Sequence, residues 1–588
     1  MGELYKISTR KDLVKFLGIP EKLLTYVLYV KKVDSFYTTF EIPKKNGGVR
    51  KISAPSEQLK QIQKILANKL YEHREKKRTT NISHGFEKGR CIKTNAKIHR
   101  NKRYVLNIDI ENFFESIHFG RVRGFFNKNK SFALPIEVAT VIAQIACYNG
   151  KLPQGAPTSP IISNLICEIL DYRLFKIAKK YRLNYTRYAD DLTFSTNDKK
   201  FLESQTTFYE EVSKEIEQAG FKINKQKVRM QYKDSRQVVT GLVVNEKINV
   251  PSTYYKETRA MAHHLYKYGR FEINGEEATP NQLEGRFSFL NHLTCYNNNL
   301  DNEKHGYKFN NLNSREREYQ KFLFYKLFFA HPKPLIVTEG KTDIVYLKAA
   351  LKKLYKEYPQ LVSKNDDGSF DYKISFLKRA EKKKNTNKKK TINKLEYFLG
   401  IVHDGADTVK NLYNFFHSEK KEREDVSPNY FEYFKKTCNH KPYNPIIFLF
   451  DNEIQSRKRK PISKFISHVK LDNKKKEKLK SENMVKLEAD NLYILTNPLV
   501  KGMSECEIED LFDDGTLNHK INGKSFTKED KYDKQKFYGK EIFSKYILKN
   551  YINIDFDGFR PLLDNLVKII EEYKEECPIE ELQQSLIQ

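Results

Sequence analysis

Residues 183–196, Leu-Asn-Tyr-Thr-Arg-Tyr-Ala-Asp-Asp-Leu-Thr-Phe-Ser-Thr, constrain this chain more than any other stretch. Two adjacent carboxylates, Asp190 and Asp191, lie between β-prone runs at 185–188 and 192–194, and this spacing predicts a hairpin with the acids at its tip. Side chains alternate faces along a strand, so the two neighbours point differently and Asp190 is the one expected to bind a metal tightly. A solvated acidic turn has the same local sequence, so the flanking segments decide between the two readings. Residues 103–110, Arg-Tyr-Val-Leu-Asn-Ile-Asp-Ile, form a hydrophobic strand ending at Asp109, with Glu-Asn-Phe-Phe-Glu-Ser-Ile after it. Residues 151–160, Lys-Leu-Pro-Gln-Gly-Ala-Pro-Thr-Ser-Pro, are a loop of turn formers that leads into an apolar helical run at 161–174.

In this order, the buried-strand aspartate, the Leu-Pro-Gln-Gly loop and the Tyr-X-Asp-Asp hairpin resemble the palm of a reverse transcriptase. The resemblance implies attack of a hydroxyl on the α-phosphate of a deoxynucleoside triphosphate, with two Mg²⁺ ions held by hard oxygen ligands. Asp109 and Asp190 would bridge the ions, Asp191 would support them, and the backbone carbonyl of Ile110 would complete the shell. Phe114 matches the family's steric gate, a bulky side chain that admits deoxyribose and clashes with ribose, while Phe113 reads as a core residue. Gln154 and Gly155 would flank the incoming base and sugar. Residues 40–55 hold two β-prone runs around Asn46-Gly47-Gly48, a hairpin signal. Lys44, Lys45 and Arg50 ride on it, as on the fingers hairpin that grips the triphosphate; an arginine fork suits phosphate oxygens, with lysine as a point charge. Lys227, in the segment 220–227 after an amphipathic helix, sits where the family has a lysine able to protonate the leaving group.

Shorter motifs narrow the resemblance to bacterial retron reverse transcriptases. Asn95-Ala96-Lys97-Ile98-His99 resembles their Asn-Ala-X-X-His element, Val239-Thr240-Gly241 their Val-Thr-Gly triplet, and Ser83-His84-Gly85-Phe86 with Gly89-Arg90 also fits. The resemblance covers roughly 1–325: fingers and palm over 1–250, then a helical thumb and linker over 251–325. It implies a cognate structured non-coding RNA as template and primer, copied from a guanosine 2′-hydroxyl into a branched, multicopy single-stranded DNA. Asn95, His99, Val239, Thr240 and Gly241 are the expected RNA-recognition residues, with RNA held through shape, 2′-hydroxyls and phosphates. A group II intron-like mobile-element enzyme is the competing reading, and the motifs at 95–99 and 239–241 argue against it.

A chain of 588 residues exceeds one hydrophobic core, so several domains are expected. Its net charge of +31 calls for a polyanionic partner. No apolar run approaches a membrane span, the N-terminus lacks a signal-peptide core, and seven scattered cysteines form no Cys-X-X-Cys pair. The expectation is a cytoplasmic protein with no membrane partner, no zinc cluster and no disulfide framework.

The second half reads as α/β. An Asn-rich polar stretch over 295–313 marks a boundary, followed by a helix over 314–330. Residues 334–343, Pro-Leu-Ile-Val-Thr-Glu-Gly-Lys-Thr-Asp, are a buried strand ending in an acid and feeding a helix at 344–355. Gly340-Lys341-Thr342 is not a P-loop, because Leu335 stands where that motif needs glycine. Residues 445–453, Pro-Ile-Ile-Phe-Leu-Phe-Asp-Asn-Glu, are a second such strand, and 491–496 a third, trailed by the acidic segment 504–511. Carboxylates at the carboxyl edge of a parallel sheet make a hard-cation site over a crevice that phosphates can enter. The pattern resembles a TOPRIM domain, the Rossmann-like α/β fold shared by topoisomerases, bacterial primases and overcoming-lysogenisation-defect nucleases. By that resemblance Glu339 is the general acid/base or first ligand, and Asp451, Glu453 and Glu509 bind Mg²⁺ or Mn²⁺. Asp510 and Lys540 would assist, and Glu453 departs from the usual Asp-X-Asp. The implied architecture is a right-hand-like reverse transcriptase followed by a TOPRIM nuclease over 326–588, with a helical C-terminal tail and two lysine-rich runs, 378–390 and 474–480, facing nucleic acid. The nuclease would act on DNA or RNA as an antiphage effector, with room for a homo-oligomer built on the RNA–DNA. The alternative is a polymerase whose C-terminal half only binds nucleic acid.

Overall fold

The computed structural model describes residues 6–44, 47–77, 81–300, 312–378, 393–402, 407–417, 428–456, 460–489, 491–500, 502–529 and 531–577. Lys45 and most of the basic run 378–390 therefore lie outside the described residues. The chain divides into two compact units, Met1–Tyr254 and Tyr255–Gln588.

In the first unit, α1 (Arg10–Leu17) begins at a capping box between Thr9 and Asp12 and stops at Gly18 in the left-handed region. The helical reading of 1–35 holds only in pieces. Pro20 restarts the chain as α2 (Glu21–Thr25), which runs into a π turn (Tyr26–Val30) and a 3₁₀ turn (Val33–Phe36). Strands β1 (Tyr37–Pro43) and β2 (Val49–Pro55) form the expected hairpin, in register from Tyr37↔Pro55 to Pro43↔Val49. Helices α3 (Glu57–Lys77) and α4 (Ile92–His99) lead to β3 (Tyr104–Glu111). Helices α5 (Phe119–Lys128), α6 (Ile136–Ala146) and α7 (Ser159–Lys180) separate it from β4 (Asn184–Tyr188) and β5 (Asp191–Thr196). After α8 (Phe201–Gln218) come β6 (Lys222–Ile223), β7 (Arg229–Tyr232) and the small hairpin of β8 (Val238–Val239) and β9 (Leu242–Val243).

The palm sheet is antiparallel in the order β4-β5-β3-β6, with β7 also pairing β3. β3 is buried at six of its eight positions, which explains why its sequence is nearly continuous in apolar residues rather than alternating. Its core includes Leu106, Ile108, Ile142, Leu165, Phe194 and Phe208, each adding about 1.5–3 kcal/mol by burial.

The second unit starts with α9 (Ser252–Tyr268), a short hairpin of β10 (Glu272–Ile273) and β11 (Glu276–Glu277), and α10 (Pro280–Leu300). α10 runs through 295–300, where a polar boundary was expected, because Leu290, Leu293 and Asn297 are buried along it. α11 (Ser314–Phe324) ends in a π turn (Tyr325–Phe329). A five-stranded sheet follows, built from β12 (Leu335–Thr338), β15 (Ser375–Phe376), β16 (Ile446–Phe450), β17 (Met484–Lys486) and β18 (Leu492–Thr496). Its order is β15-β12-β16-β18-β17, with the first four strands parallel and β17 antiparallel at the edge. α12 (Lys341–Lys353) starts three residues earlier than expected, and β13 (Val362–Lys364) and β14 (Phe370–Tyr372) form a hairpin before β15. Helices α13 (Lys394–Leu399), α14 (Asp407–Phe416) and α15 (Tyr430–Thr437) precede β16. α16 (Pro461–His468) and α17 (Asn473–Glu482) follow it, and the helix Arg560–Glu576 packs its apolar face into the same core.

The helices read as a thumb group with this second unit. Phe287 stacks on Tyr319 at 5.5 Å, and Tyr319 meets Phe398 of α13 at 4.7 Å. Tyr266 lies 4.8 Å from Tyr325 and 4.9 Å from Phe434 of α15. Among the described residues no helix is long and apolar enough to cross a membrane.

Candidate active sites

The β4–β5 turn carries the first acid pair. Ala189 turns the chain with φ 57°, and Asp191 begins β5 directly opposite Asp109 on β3. The Ile110 amide donates to the Asp190 carbonyl at 3.1 Å, and Ile110 itself pairs with Ile223. Beneath the turn, Arg187 is fully buried and donates to both carboxylate oxygens of Asp171 at 2.8 Å. It also reaches the Asn164 side chain (3.0 Å) and the Ala189 carbonyl (3.2 Å). Asn164 in turn donates to the Gly85 carbonyl at 2.9 Å. The Ser83–Gly85 segment lies along β4, with His84 N–H donating to the Arg187 carbonyl at 2.7 Å. A Cβ on Gly85 would stand 2.6 Å from the Ala189 nitrogen. The catalytic-type turn is thus clamped by Arg187, Asp171 and Asn164, which had no role assigned from sequence, and by the Ser83–Gly85 segment, legible there only as a family motif. Only an arginine inside an otherwise β-prone run hinted at the first three.

Burial raises the Asp190 carboxyl above its ordinary range, and the charge of Asp109 adds to it, while Lys227 and Arg50 oppose it. Burial, then Asp190 and Asp109, push Asp191 up to about 7. Asp109 gives both oxygens to the Lys227 ammonium, at 3.0 and 3.1 Å. Three acids thus face one another with a single lysine in direct contact, an imbalance that a divalent cation relieves, and oxygen donors suit Mg²⁺. Among the described residues no three carboxylate, imidazole or thiol groups are gathered tightly enough to enclose an ion. In this structure both Asp109 oxygens are engaged by Lys227.

The Leu-Pro-Gln-Gly loop is stitched to the fingers hairpin, since Ser53 N–H donates to the Gln154 carbonyl at 2.9 Å. Gly155 has φ 131° and its backbone crowds Ser53, so that a Cβ would lie 2.5 Å from the Ser53 oxygen. Arg50 and Lys44 are exposed on the hairpin. Phe113 is core, stacked on Phe221 at 5.7 Å, whereas half-buried Phe114 lies 6.1 Å from the exposed Phe86 ring.

The expected RNA-recognition residues of α4 are placed differently. Asn95 and His99 have no exposed surface. His99 bonds Ser195 and Thr186 at 2.7 Å each, and Thr186 donates to Asn95 at 2.6 Å. Burial pushes the His99 pKa down to about 3, so the ring is neutral. These side chains pin α4 to the hairpin strands, and their geometry offers RNA no contact. Val239 is buried too, while Thr240 (φ 46°) and Gly241 (φ 80°) form the β8–β9 turn.

In the second unit the chain runs from β12 outward to β15 and returns to β16 on the other side of β12. The strand order therefore reverses between β12 and β16, where parallel sheets open a crevice at their carboxyl ends. Glu339 follows β12 and Asp451 follows β16. A bridge between Asn452 and Cys506 ties down the acidic segment, and Asp451 accepts from the Ile508 amide at 3.0 Å and from Asn497 at 2.9 Å. Burial drives the Asp451 pKa well above the carboxylate range, reinforced by Glu339, Asp343 and Glu509. Burial likewise raises Glu509 and Asp343. Lys540 binds Glu509 at 3.0 Å and Glu507 at 3.1 Å, and although burial works against its charge these acids drive its pKa up.

This cluster differs from the expected one at three positions. Glu453 is turned into an ion pair with Lys460. Asp510 is occupied by Lys528 (2.7 Å) and the Glu507 amide (2.9 Å). Asp343, unassigned in the sequence, joins Glu339, Asp451 and Glu509 while accepting from the Gly340 amide at 2.9 Å. The basic run 474–480 is the solvated helix α17, where Lys475 and Lys480 pair with Asp472 and Glu477.

An antiparallel palm with opposed aspartates on β3 and the β4–β5 turn defines a nucleic-acid polymerase, and the family model for reverse transcriptase (RNA-dependent DNA polymerase) matches residues 42–261. Retron Ec86 reverse transcriptase of Escherichia coli is 37% identical over 259 residues, spanning 43% of this chain and 77% of its own length. Retron Mx65 reverse transcriptase of Myxococcus xanthus is 31% identical over 313 residues (50% and 69%), and Retron Mx162 reverse transcriptase of the same organism 33% over 322 (50% and 65%). This chain belongs to the retron reverse transcriptase family and is an RNA-directed DNA polymerase. A telomerase from Candida albicans, solved with a fragment of telomeric RNA, covers 53% of this chain and 63% of its own at 12% identity and a TM-score of 0.30, too distant to bear on function.

Proposed function

We propose that the first unit copies part of a cognate non-coding RNA into multicopy single-stranded DNA from a guanosine 2′-hydroxyl, and that the second is a TOPRIM-type nuclease serving antiphage defence. For the polymerase, the carrying observation is the opposed trio Asp109, Asp190 and Asp191 above the Arg187 clamp. Asp109, Asp190, Asp191 and the Ile110 carbonyl would hold Mg²⁺, which when bound supplies charge stabilisation at the reacting phosphate. Arg50 and Lys44 grip the triphosphate of the incoming deoxynucleotide, Gln154 and Gly155 line its base and sugar, and Phe114 excludes a ribose 2′-hydroxyl. Lys227, once released from Asp109, donates a proton to the departing pyrophosphate.

For the second unit, the carrying observation is the placement of Glu339 and Asp451 directly after the neighbouring parallel strands β12 and β16, where the strand order reverses, with Asp451 held by the Ile508 amide of the acidic segment. These oxygen donors fit Mg²⁺ or Mn²⁺, which when bound would polarise a phosphodiester. Lys540 holds Glu509 in place and balances part of its charge. Glu453 stays with Lys460 and braces the β16 end of the crevice.

Purifying the protein from cells carrying its native flanking DNA tests the first half. A short branched DNA joined to a local RNA is expected, absent from Asp190→Asn/Asp191→Asn; unbranched or heterogeneous nucleic acid overturns the retron-specific priming. Glu339→Gln tests the second half. Defence against phage is expected to fail with DNA synthesis intact, and defence retained at wild-type strength overturns the nuclease reading.

A further inference from the structure

The second unit carries a groove walled by lysines and aromatic rings, none of them a member of its acid cluster. This cleft of about 450 Å³ lies between α12 and the β13–β14 hairpin and is lined by Lys348, Lys352, Phe370, Tyr372 and Tyr551. Lys348 and Lys352 are four residues apart on α12 and share one face. The Lys348 ammonium sits 5.6 Å from the Tyr372 ring and 5.5 Å from Phe376. Lys352 sits 5.5 Å from Phe370 and 5.4 Å from Tyr551. Lys364 on β13 sits 5.7 Å from Tyr355 and 5.9 Å from Phe370. These separations approach the outer limit of cation–π attraction, so each ring holds its ammonium only weakly.

Among the described residues, none of the three lysines makes a salt bridge to a carboxylate. On the adjoining hairpin Asp367 accepts from Ser369 at 2.5 Å and Asp371 pairs with Lys333 at 3.3 Å, while Asp366 lies exposed at the turn. Burial, then the like charges of Lys378 and Lys352, push the Lys348 pKa down, a sign of a cationic row short of anions. The rings of Phe370, Tyr372 and Tyr551 are only half-buried.

We propose that this groove binds single-stranded nucleic acid, the lysine row taking successive phosphates and the rings stacking on unpaired bases. Lysines alone would serve any polyanion, but the interleaved rings select a ligand with exposed planar faces. A duplex hides those faces, and an acidic peptide lacks them. Every base has such a face, so the site is tolerant of sequence. The inference is independent of whether the acid cluster cleaves anything.

The test uses full-length protein stripped of co-purified nucleic acid at high salt and a single-stranded oligodeoxynucleotide carrying 5-iododeoxyuridine. After irradiation, adducts are mapped by mass spectrometry. Adducts at Phe370, Tyr372 or Tyr551 are expected, falling about tenfold in Lys348→Gln/Lys352→Gln and persisting in Lys348→Arg/Lys352→Arg. The salt dependence of that adduct should flatten by about 1.4 in log–log slope in the glutamine variant, the share of two phosphates on a single strand. Primer extension on an added template is expected to be unchanged. Adducts confined to the first unit, equal yield in the glutamine variant, or equal competition by a duplex of the same sequence would each overturn the proposal.

Discussion

At the scale of single residues, Asp109 gives both carboxylate oxygens to Lys227, so a divalent ion entering the polymerase centre competes with that lysine for the same oxygens. Lys227→Gln frees Asp109, so the Mg²⁺ concentration for half-maximal DNA synthesis should fall several-fold while maximal rate drops through loss of the proton donor. An unchanged Mg²⁺ midpoint would contradict this. The neighbouring acid gives a pH signature. Asp191 is raised from 3.8 to about 7 in the folded protein. Between those values the metal-free folded state keeps a proton the unfolded chain has lost, so this residue's contribution to stability falls as pH rises through the window. In EDTA, the melting temperature of Asp191→Asn relative to wild type should therefore be higher at pH 8 than at pH 5; an equal difference at both values would refute the assignment. The acids of this centre were legible because carboxylates at the ends of apolar strands stand out. In the second unit's cluster Asp343 was not legible, since it opens a helix and reads as an ordinary first-turn acid.

At the scale of elements, backbone contacts fix the geometry that the acids need. Gly85→Ala would force Ser83–Gly85 away from the β4–β5 turn, and Gly155→Ala would part the loop from β2. Both variants should lose DNA synthesis by an order of magnitude or more, read by primer extension, while far-ultraviolet circular dichroism stays close to wild type. Removing the arginine of the buried Arg187–Asp171 pair strands a charge in the interior, and Arg187→Met should cost about 3–5 kcal/mol in unfolding free energy. Arg187→Met/Asp171→Leu should regain much of that stability without regaining activity. Strands and hairpins were readable from β-branched runs and turn formers. The helix through 295–300 was not, because its Asn-rich composition favours loops and only burial of Leu290, Leu293 and Asn297 holds it helical. The retron-type element at 95–99 was recognised as a motif, but its role lay in packing that no short sequence pattern reveals.

At the scale of the molecule, the units divide at Tyr254, beside the palm–thumb boundary read at 250, and the helices read as the thumb fall with the second unit. Phe287, Tyr319, Phe322 and Tyr325 are buried, with partners that include Phe398 and Phe434. A chain cut after residue 325 would expose that aromatic surface, and it should aggregate or be rapidly proteolysed beyond residue 254, whereas a chain ending at 254 should remain protease-resistant. Equal resistance of the two truncations would show that the helices fold without the sheet. The sequence could not disclose this grouping, because the Asn-rich stretch imitates a linker and the aromatic contacts join segments far apart in the chain, as from Tyr325 to Phe434.

That shared aromatic core also limits how such proteins can be recombined. A gene fusion or laboratory graft that exchanges C-terminal modules at residue 326 would split one hydrophobic interior between two parents and leave each half with mismatched rings. A seam just ahead of α9 would hand over α9, α10 and α11 together with α13 and α15, whose rings they meet, so the helices travel as part of the module rather than as the tail of the polymerase.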